Sequence, residues 1–416
     1  MERIPRDLTL NIFSRLPVYS LLSCKCVCKH WFNLTSDPIL STLRNQLTTT
    51  NSITEAIVVT YLPGNQLFFV AEKENTAENH FYSTIIKKKI DISFIHDDSS
   101  KIIVSLVGVC NGLLCLVNIR IIGFRSNPFE SIHVLNPITG DHLELIPKFE
   151  NPICRHGLQT YCIILGFGFD EIHRVFKVVA FIFRYDSSID DNIVDDDDDM
   201  TEMLVYTIGG GGGGGATGNN LWRRAFGNVP YILRYHFGPE SHKASNVYVN
   251  GCLHWVTRTL VQNSLDYKLV ILSFHLGYED FGFIQTPEEI IGELYLLMQS
   301  SYYSLAVLDN CLSFVDSKHD EVIDIWLSKN DGGNQSWIKY FSIQKQLVLE
   351  RGFGHQVMPI KQKMNGEILL LANYHMVVYN PQNKTCRPFA FDDDPEEISG
   401  AIAFPFVGSF INAAGS

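Results

Sequence analysis

Three cysteines and a histidine crowd the eight residues CKCVCKHW, Cys24 to Trp31, a density that raises the prospect of a metal or redox centre. Tetrahedral zinc requires three or four ligands converging on one point at about 2.0 to 2.3 Å. On a helix from Cys24 to Thr35 turning about 100° per residue, Cys24, Val27, Cys28, Trp31, Leu34 and Thr35 share one stripe, while Lys25, Cys26, Lys29, His30 and Asn33 face away. Cys26 and Cys28 then point in nearly opposite directions and cannot share an ion. Cys26 with His30 makes half a site, and the sequence nearby offers no second half. These thiols are therefore expected to pack in a core.

The other reactive-looking motifs read the same way. Gly108-Val-Cys-Asn-Gly112 imitates a nucleophile elbow with Cys110 as nucleophile, but it leads into the strand-like LLCLVN where an elbow needs a helix. The seven glycines Gly209 to Gly215 lack the Gly-Lys-Ser/Thr of a phosphate loop and read as a flexible tract. Asp195 to Asp199 lack the glycine and terminal glutamate of a calcium loop and read as a solvated, self-repelling segment. His236 and His242 lack the spacing of a zinc-binding helix. No catalytic residue, metal or cofactor is expected.

The elements around these residues follow from composition and pattern. A chain of 416 residues, 46% hydrophobic, can bury one large domain and a small appendage. The formal charge is −12, and the eight aspartates between Asp186 and Asp199 supply most of it, leaving −4 for the rest. No basic stripe is present of the kind that binding to a phosphate backbone requires, which excludes a nucleic-acid partner from the reading. No run of about 18 apolar residues occurs, so no membrane span is expected. Charged Glu2, Arg3, Arg6 and Asp7 sit where a signal peptide would need an apolar core. With ten cysteines mostly in apolar runs, the expectation is reduced thiols and a location in the cytoplasm and/or nucleus.

Residues 1–44 read as three short helices. Leu8, Ile12 and Leu16 recur at helical spacing after Pro5, with Phe13 beside them, until Pro17 stops the run. Ser20 can cap a second segment carrying Leu21 and Leu22. So small a unit cannot bury Leu8, Ile12, Leu16, Leu21, Leu22, Val27 and Trp31 by itself, and part of that surface must meet another body. Each large side chain taken fully from water contributes about 1.5–3 kcal/mol before association costs.

The stretch IPRDLTLNIFSRLPVYSLLSCKCVCKHWFNLTSDP resembles an F-box, with Ile4 in place of the usual first leucine and Phe13 in place of the leucine after Ile12. The resemblance implies docking on the Skp adaptor of a cullin-RING ubiquitin ligase. It further implies that Pro5, Leu8, Ile12, Leu16, Leu21, Leu22, Val27 and Trp31 build or support that interface. Six Lys and Arg against three acidic residues leave this segment near +3, which would speed encounter with an acidic adaptor.

After a polar connector, placed at residues 45–52, the chain changes to short apolar runs bounded by turn residues, such as EAIVVTYL, GLLCLV, VYVNGCLHWV and EILLLANYHMVVYNP. TPEEIIGELYLLMQ, from Thr286, is the best candidate for a short helix. Turns at Asn111-Gly, Asp170-Glu, Asn250-Gly, Asp309-Asn and Asn365-Gly recur at intervals of 59, 80, 59 and 56 residues. The long interval contains the aspartate and glycine tracts, an insertion at about 186–218. Asn-Pro turns in HVLNPITGDHLELIP and VVYNPQNKTCRPF add a second recurrence. Units of this size, each three or four strands, point to a β-propeller over residues 53–410, with six blades expected.

VCNGLLCLV, LNPITG, GFGFDEIHRVFKVV, LWRR, VNGCLHWV and ILSFHL resemble the F-box-associated, kelch-like domain of plant F-box proteins, an organisation shared with S-locus F-box proteins. The fold expected is mainly β, a three-helix F-box followed by a kelch-like propeller. The function implied is a non-catalytic substrate receptor of a Skp-cullin-F-box ligase, with an unknown target protein on the propeller. The alternative is a propeller that senses a small molecule or glycan in its channel, with the F-box as output.

Overall fold

The computed structural model describes residues 4–16, 18–37, 39–40, 43–44, 56–61, 66–77, 80–95, 102–120, 129–145, 159–186, 201–208, 222–225, 247–262, 266–292, 302–319, 321–331, 334–349, 357–363, 365–373, 375–389, 401–406, 408–409, 411 and 413. The connector at 45–52, the five aspartates, the seven glycines, His236 and His242 lie outside these residues.

Three helices open the chain: α1 (Arg6–Ser14), α2 (Val18–Lys25) and α3 (Lys29–Thr35). Pro5 caps α1, and its carbonyl accepts from the Thr9 backbone N–H at 3.0 Å and from Thr9 Oγ1 at 3.1 Å. At the other end of α1, the buried Arg44 guanidinium donates to the carbonyls of Phe13, Ser14 and Leu16. Carbonyls that a helix end leaves without intrahelical partners are thus satisfied by a distant side chain. Arg6 pairs with Asp37 and ties α1 to the turn after α3.

The single helix expected from Cys24 to Thr35 is broken. Cys26 and Val27 close a turn, with N–H groups donating to Ser23 and Cys24 carbonyls at 3.1 Å, and Cys28 takes an extended conformation as the N-cap of α3. The twelve-residue stripe therefore does not exist as drawn. Val27 turns outward, away from the half-buried Trp31.

Among the described residues, six antiparallel sheets follow. The first joins both ends of the domain: β1 (Ala56–Tyr61), β2 (Gln66–Ala77) and β3 (His80–Lys89) are completed by β25 (Ala401–Phe406), which pairs with β1 from Ala56 opposite Phe406 to Tyr61 opposite Ala401. The second blade holds β4 (Ile102–Cys110), β5 (Leu113–Arg120), β6 (Phe129–Leu135) and β7 (His142–Leu145). The third holds β8 (Gln159–Asp170), β9 (Val175–Asp186), β10 (Thr201–Ile208) and β11 (Arg223–Arg224). The fourth holds β12 (Val247–Val249), β13 (Cys252–Leu260), β14 (Tyr267–His275) and β15 (Asp280–Gln285), with β16 (Ile291–Gly292) pairing the start of β14. The fifth holds β17 (Tyr303–Leu308), β18 (Cys311–Asp316), β19 (Val322–Asp331) and β20 (Asn334–Gln344), followed by the single turn α4 (Lys345–Val348). The sixth holds β21 (Val357–Gln362), β22 (Ile368–Ala372), β23 (His375–Asn380) and β24 (Thr385–Pro388).

Each boundary between neighbouring blades has its own apolar core, and these cores close a ring. Blades three and four share Ile164, Val179, Phe181 and Met203 with Leu253, Trp255, Leu272 and Phe274. Blades six and one share Ile360, Leu369 and Val378 with Val70 and Ala403. The cycle needs close backbone approach in places: a Cβ on Gly168 would sit 2.4 Å from the Tyr248 ring. The recurring turns occupy equivalent positions, each joining the innermost strand of a blade to the next. Asn111-Gly112 links β4 to β5, Asn250-Gly251 links β12 to β13, and Asp309-Asn310 links β17 to β18, all with positive φ at both residues, as tight right-twisted hairpins demand.

The helix expected from Thr286 is not formed over residues 286–292. Leu269 N–H donates to the Ile290 carbonyl at 2.9 Å and Ile291 pairs with Lys268, so this stretch completes the ladder of β14 beyond the end of β15. The pull of unpaired strand groups outweighs the weak helical pattern. At the far end of the chain, Ile411 and Ala413 are buried in the core between blades two and three, which extends the folded body past residue 410.

Candidate functional site

The first helix carries two apolar stripes on different faces. Leu10 and Phe13, each 2% exposed, enter a core with Leu21, Leu34 and Leu40, and Trp31 meets Phe13 edge to face at 5.0 Å between ring centres. Leu8 and Ile12, one helical turn apart, are 58% and 50% exposed, and Ile4 and Phe32 also face solvent. Val27 is 62% exposed in the α2–α3 turn. Large apolar side chains left open on a packed helical unit form a surface that a partner can cover. The same unit touches the ring through Ile138, in the β6–β7 turn, and that contact leaves Leu8, Ile12 and Val27 uncovered.

On the ring, the turns at blades three and four carry a buried ionic group. Lys177 Nζ donates to the Leu276 carbonyl at 2.6 Å and lies 2.8 Å from both Asp170 Oδ2 and Glu279 Oε1. Burial alone would raise the Asp170 carboxyl, yet Lys177 and the His173 N–H hold it down to about 2. Glu279 is also lowered: burial works against the shift, and Arg223 and Lys177 overcome it. The group staples two blades together and presents no unpaired nucleophile.

Each of the six innermost strands contributes to the central channel, among them Val109, Phe167, Tyr248, Val307, Pro359 and Phe404. A pocket among these strands contains about 530 Å³ of atom-free space, part of it open to solvent, and none of its described lining residues is charged. The Tyr248 hydroxyl is committed to the Phe169 carbonyl at 2.8 Å. Ligand pockets combine apolar walls with a few placed polar groups, and among the described lining residues no polar side chain is left uncommitted. Cys110, the elbow-like cysteine, is buried at the end of β4, and desolvation pushes its thiol far above the ordinary range, so a thiolate nucleophile is disfavoured. The expectation that the thiols from Cys24 to Cys28 pack in a core holds only for Cys24, half-buried against the F-box core; Cys26 and Cys28 are exposed where the chain turns between α2 and α3, and the eight cysteines whose side chains are described are free thiols.

Two family models match the chain: an F-box-like model over residues 1–42 and the F-box associated beta propeller domain over residues 56–404. The chain belongs to the F-box-associated β-propeller family. Relatives in Arabidopsis thaliana include F-box protein At3g07870, 28% identical over 376 residues, covering 89% of this chain and 80% of that protein. F-box protein CPR1 is 23% identical over 411 residues, covering 97% and 88%. F-box/kelch-repeat protein At3g23880 is 25% identical over 353 residues, covering 82% and 80%. Among solved structures, the β-propeller domain of a trilobed protease from Pyrococcus furiosus gives a TM-score of 0.29 at 9% identity, covering 82% of this chain and 98% of that one, too distant to bear on fold or chemistry.

Within the F-box, the eight residues singled out from the sequence divide by depth. Pro5, Leu8, Ile12 and Val27 lie on the outside; Leu16 and Trp31 are half-buried against the helical core; Leu21, fully buried, supports that surface from beneath. The side chain of Leu22 lies outside the described residues. Sequence reasoning missed Phe32 outside, and Leu10 and Leu40 inside, and gave Ile4 and Leu34 no part in the interface or its support. A signal was present: Ile4, Leu8 and Ile12 follow a strict spacing of four, while Leu10 and Phe13 form a separate pair three apart.

Proposed function

We propose that this F-box protein is a substrate receptor of a Skp-cullin-F-box ubiquitin ligase and carries no catalytic group of its own. The F-box docks the Skp-family adaptor with Leu8, Ile12 and Val27, flanked by Pro5 and Ile4, and the propeller holds a target protein. The observation that carries this reading is the outer stripe of α1, which remains open although the F-box has both a complete core and a contact with the ring. Three such side chains, at about 1.5–3 kcal/mol each when fully buried, supply a substantial drive for association. The mechanism is proximity: the receptor raises the concentration of target lysines beside the ubiquitin-charged enzyme, and bond-making residues lie on other chains.

For the target, the reading favours the ring end opposite the F-box. Strand alternation puts the β4–β5 and β6–β7 turns at the end where Ile138 meets the F-box. The connections between blades, residues 90–101, 146–158, 225–246, 293–302, 345–356 and 389–400, join strands whose ends lie at the other end. These connections are longer than the two-residue turns at the F-box end, and long loops are the usual carriers of binding residues. The test is co-purification with a Skp adaptor: wild type should retain it, and Leu8→Asp and Ile12→Asp should each lose it by placing an unpaired charge in the interface. Equal retention by all three would remove the reading.

A further inference from the structure

The Asn-Pro turn occurs twice at the same blade position, in β6–β7 and in β23–β24, and only part of its bonding is shared. In both, the asparagine Oδ1 accepts two backbone N–H groups of its own turn: Ile138 and Thr139 at 2.9 and 3.3 Å for Asn136, Gln382 and Asn383 at 3.0 and 3.3 Å for Asn380. Asn136 goes further. It is fully buried, and its Nδ2 donates to the carbonyls of Ser409 and Ile411 at 3.0 and 2.8 Å, in the tail beyond the ring-closing strand β25. Ser409 Oγ donates in turn to the Asn111 carbonyl at 2.8 Å, on the neighbouring turn of the same blade. Gly112 there has φ +81, and a Cβ on it would fall 2.2 Å from Ser409 Oγ. Beyond this clasp Ile411 and Ala413 are buried between blades two and three. Two residues after Asn136, half-buried Ile138 packs against the F-box core of Leu10, Phe13, Leu21, Leu34 and Leu40 on one side and against the core between blades one and two on the other.

We propose that Asn136 and Ile138 are positioning residues: the C-terminal tail clamps the β6–β7 turn through Asn136 so that Ile138 holds the F-box in a fixed orientation on the ring. This deepens the receptor reading and rests on it, since a receptor working by proximity needs a set distance between its adaptor and target ends. The chemistry isolates the clamp. Asn136→Asp keeps the oxygen acceptors that shape the turn and removes both donors to the tail.

The test is a distance distribution between fluorescent labels at the exposed positions Ser23 on α2 and Ser336 on β20, measured by time-resolved energy transfer on the full chain. Asn136→Asp and Ile138→Ser should each at least double the width of the distribution, and Ile138→Val should retain the wild-type width. Unaltered widths in both disruptive variants, or equal broadening in Ile138→Val and Ile138→Ser, would overturn the proposal. Where Asn136→Asp loses the fold, the two Ile138 variants decide alone. No adaptor is present in the experiment, so its failure is distinct from a failure of the receptor reading.

Discussion

At the scale of single residues, position on α1 separates the side chains that fold the helical core from those proposed to dock. Leu10 fills the helical core and Leu8 does not, so Leu10→Ala should cost about 2–5 kcal/mol, and Leu8→Ala about 0.5 kcal/mol or less. Hydrogen exchange of the α1 amides checks this: it should accelerate by orders of magnitude in the first variant and hold in the second. Sequence alone could not assign the two roles, because the nine-residue helix carries an apolar pair on each side of its polar residues Asp7 and Asn11, and nothing local says which pair meets the core. A second residue-scale consequence concerns acid. His254 is buried in the ring with Nδ1 3.1 Å from the Val247 carbonyl, and burial lowers its pKa from 6.5 to about 4. A base lowered on folding is neutral in the folded state and takes up a proton on unfolding. Its contribution is therefore intact above pH 6.5 and is lost as pH falls toward 4. The melting temperature should decline across that window, and the decline should be shallower in His254→Asn. Asp170, held at about 2, adds a separate loss only below about 3.8.

At the scale of elements, tight turns were the most legible feature and segment ends the least. Asn-Gly and Asp-Asn pairs announce hairpins because few residues accept φ above zero, and the recurrence marked equivalent strands in successive blades. The broken helix between Lys25 and Lys29, and the strand formed where TPEEIIGELYLLMQ looked helical, depend on tertiary partners that no local pattern encodes. The tail's grip on blade two is equally invisible to pattern and has a measurable effect. Gly112 and Gly140 both have positive φ, but a Cβ on Gly140 would meet nothing within 4 Å, whereas on Gly112 it collides with Ser409. Alanine at Gly140 should cost only the backbone strain, about 1–2 kcal/mol. Gly112→Ala should cost clearly more in chemical denaturation, and the excess reports how tightly the tail is packed.

At the scale of the whole molecule, the propeller was readable as a period and the manner of its closure was not. Nothing in AIAFPF shows that it pairs with AIVVTY at the start of the ring, and Pro405 argues superficially against a strand. Proline is accommodated because an innermost strand has one edge free toward the channel, where Pro359 of β21 also lies. Deleting residues 401–416 should therefore abolish cooperative unfolding of the entire ring, not merely shorten it, as read by circular dichroism melting. The other whole-molecule property is the open stripe on the F-box, the feature on which the account of function stands. The most direct test is calorimetric titration of a purified Skp adaptor into the full chain and into the Leu8→Asp/Ile12→Asp double variant. The account predicts a weakening of at least about 100-fold, roughly 2.7 kcal/mol, with unchanged circular dichroism. A dissociation constant within about twofold of wild type, below 0.5 kcal/mol, would contradict it.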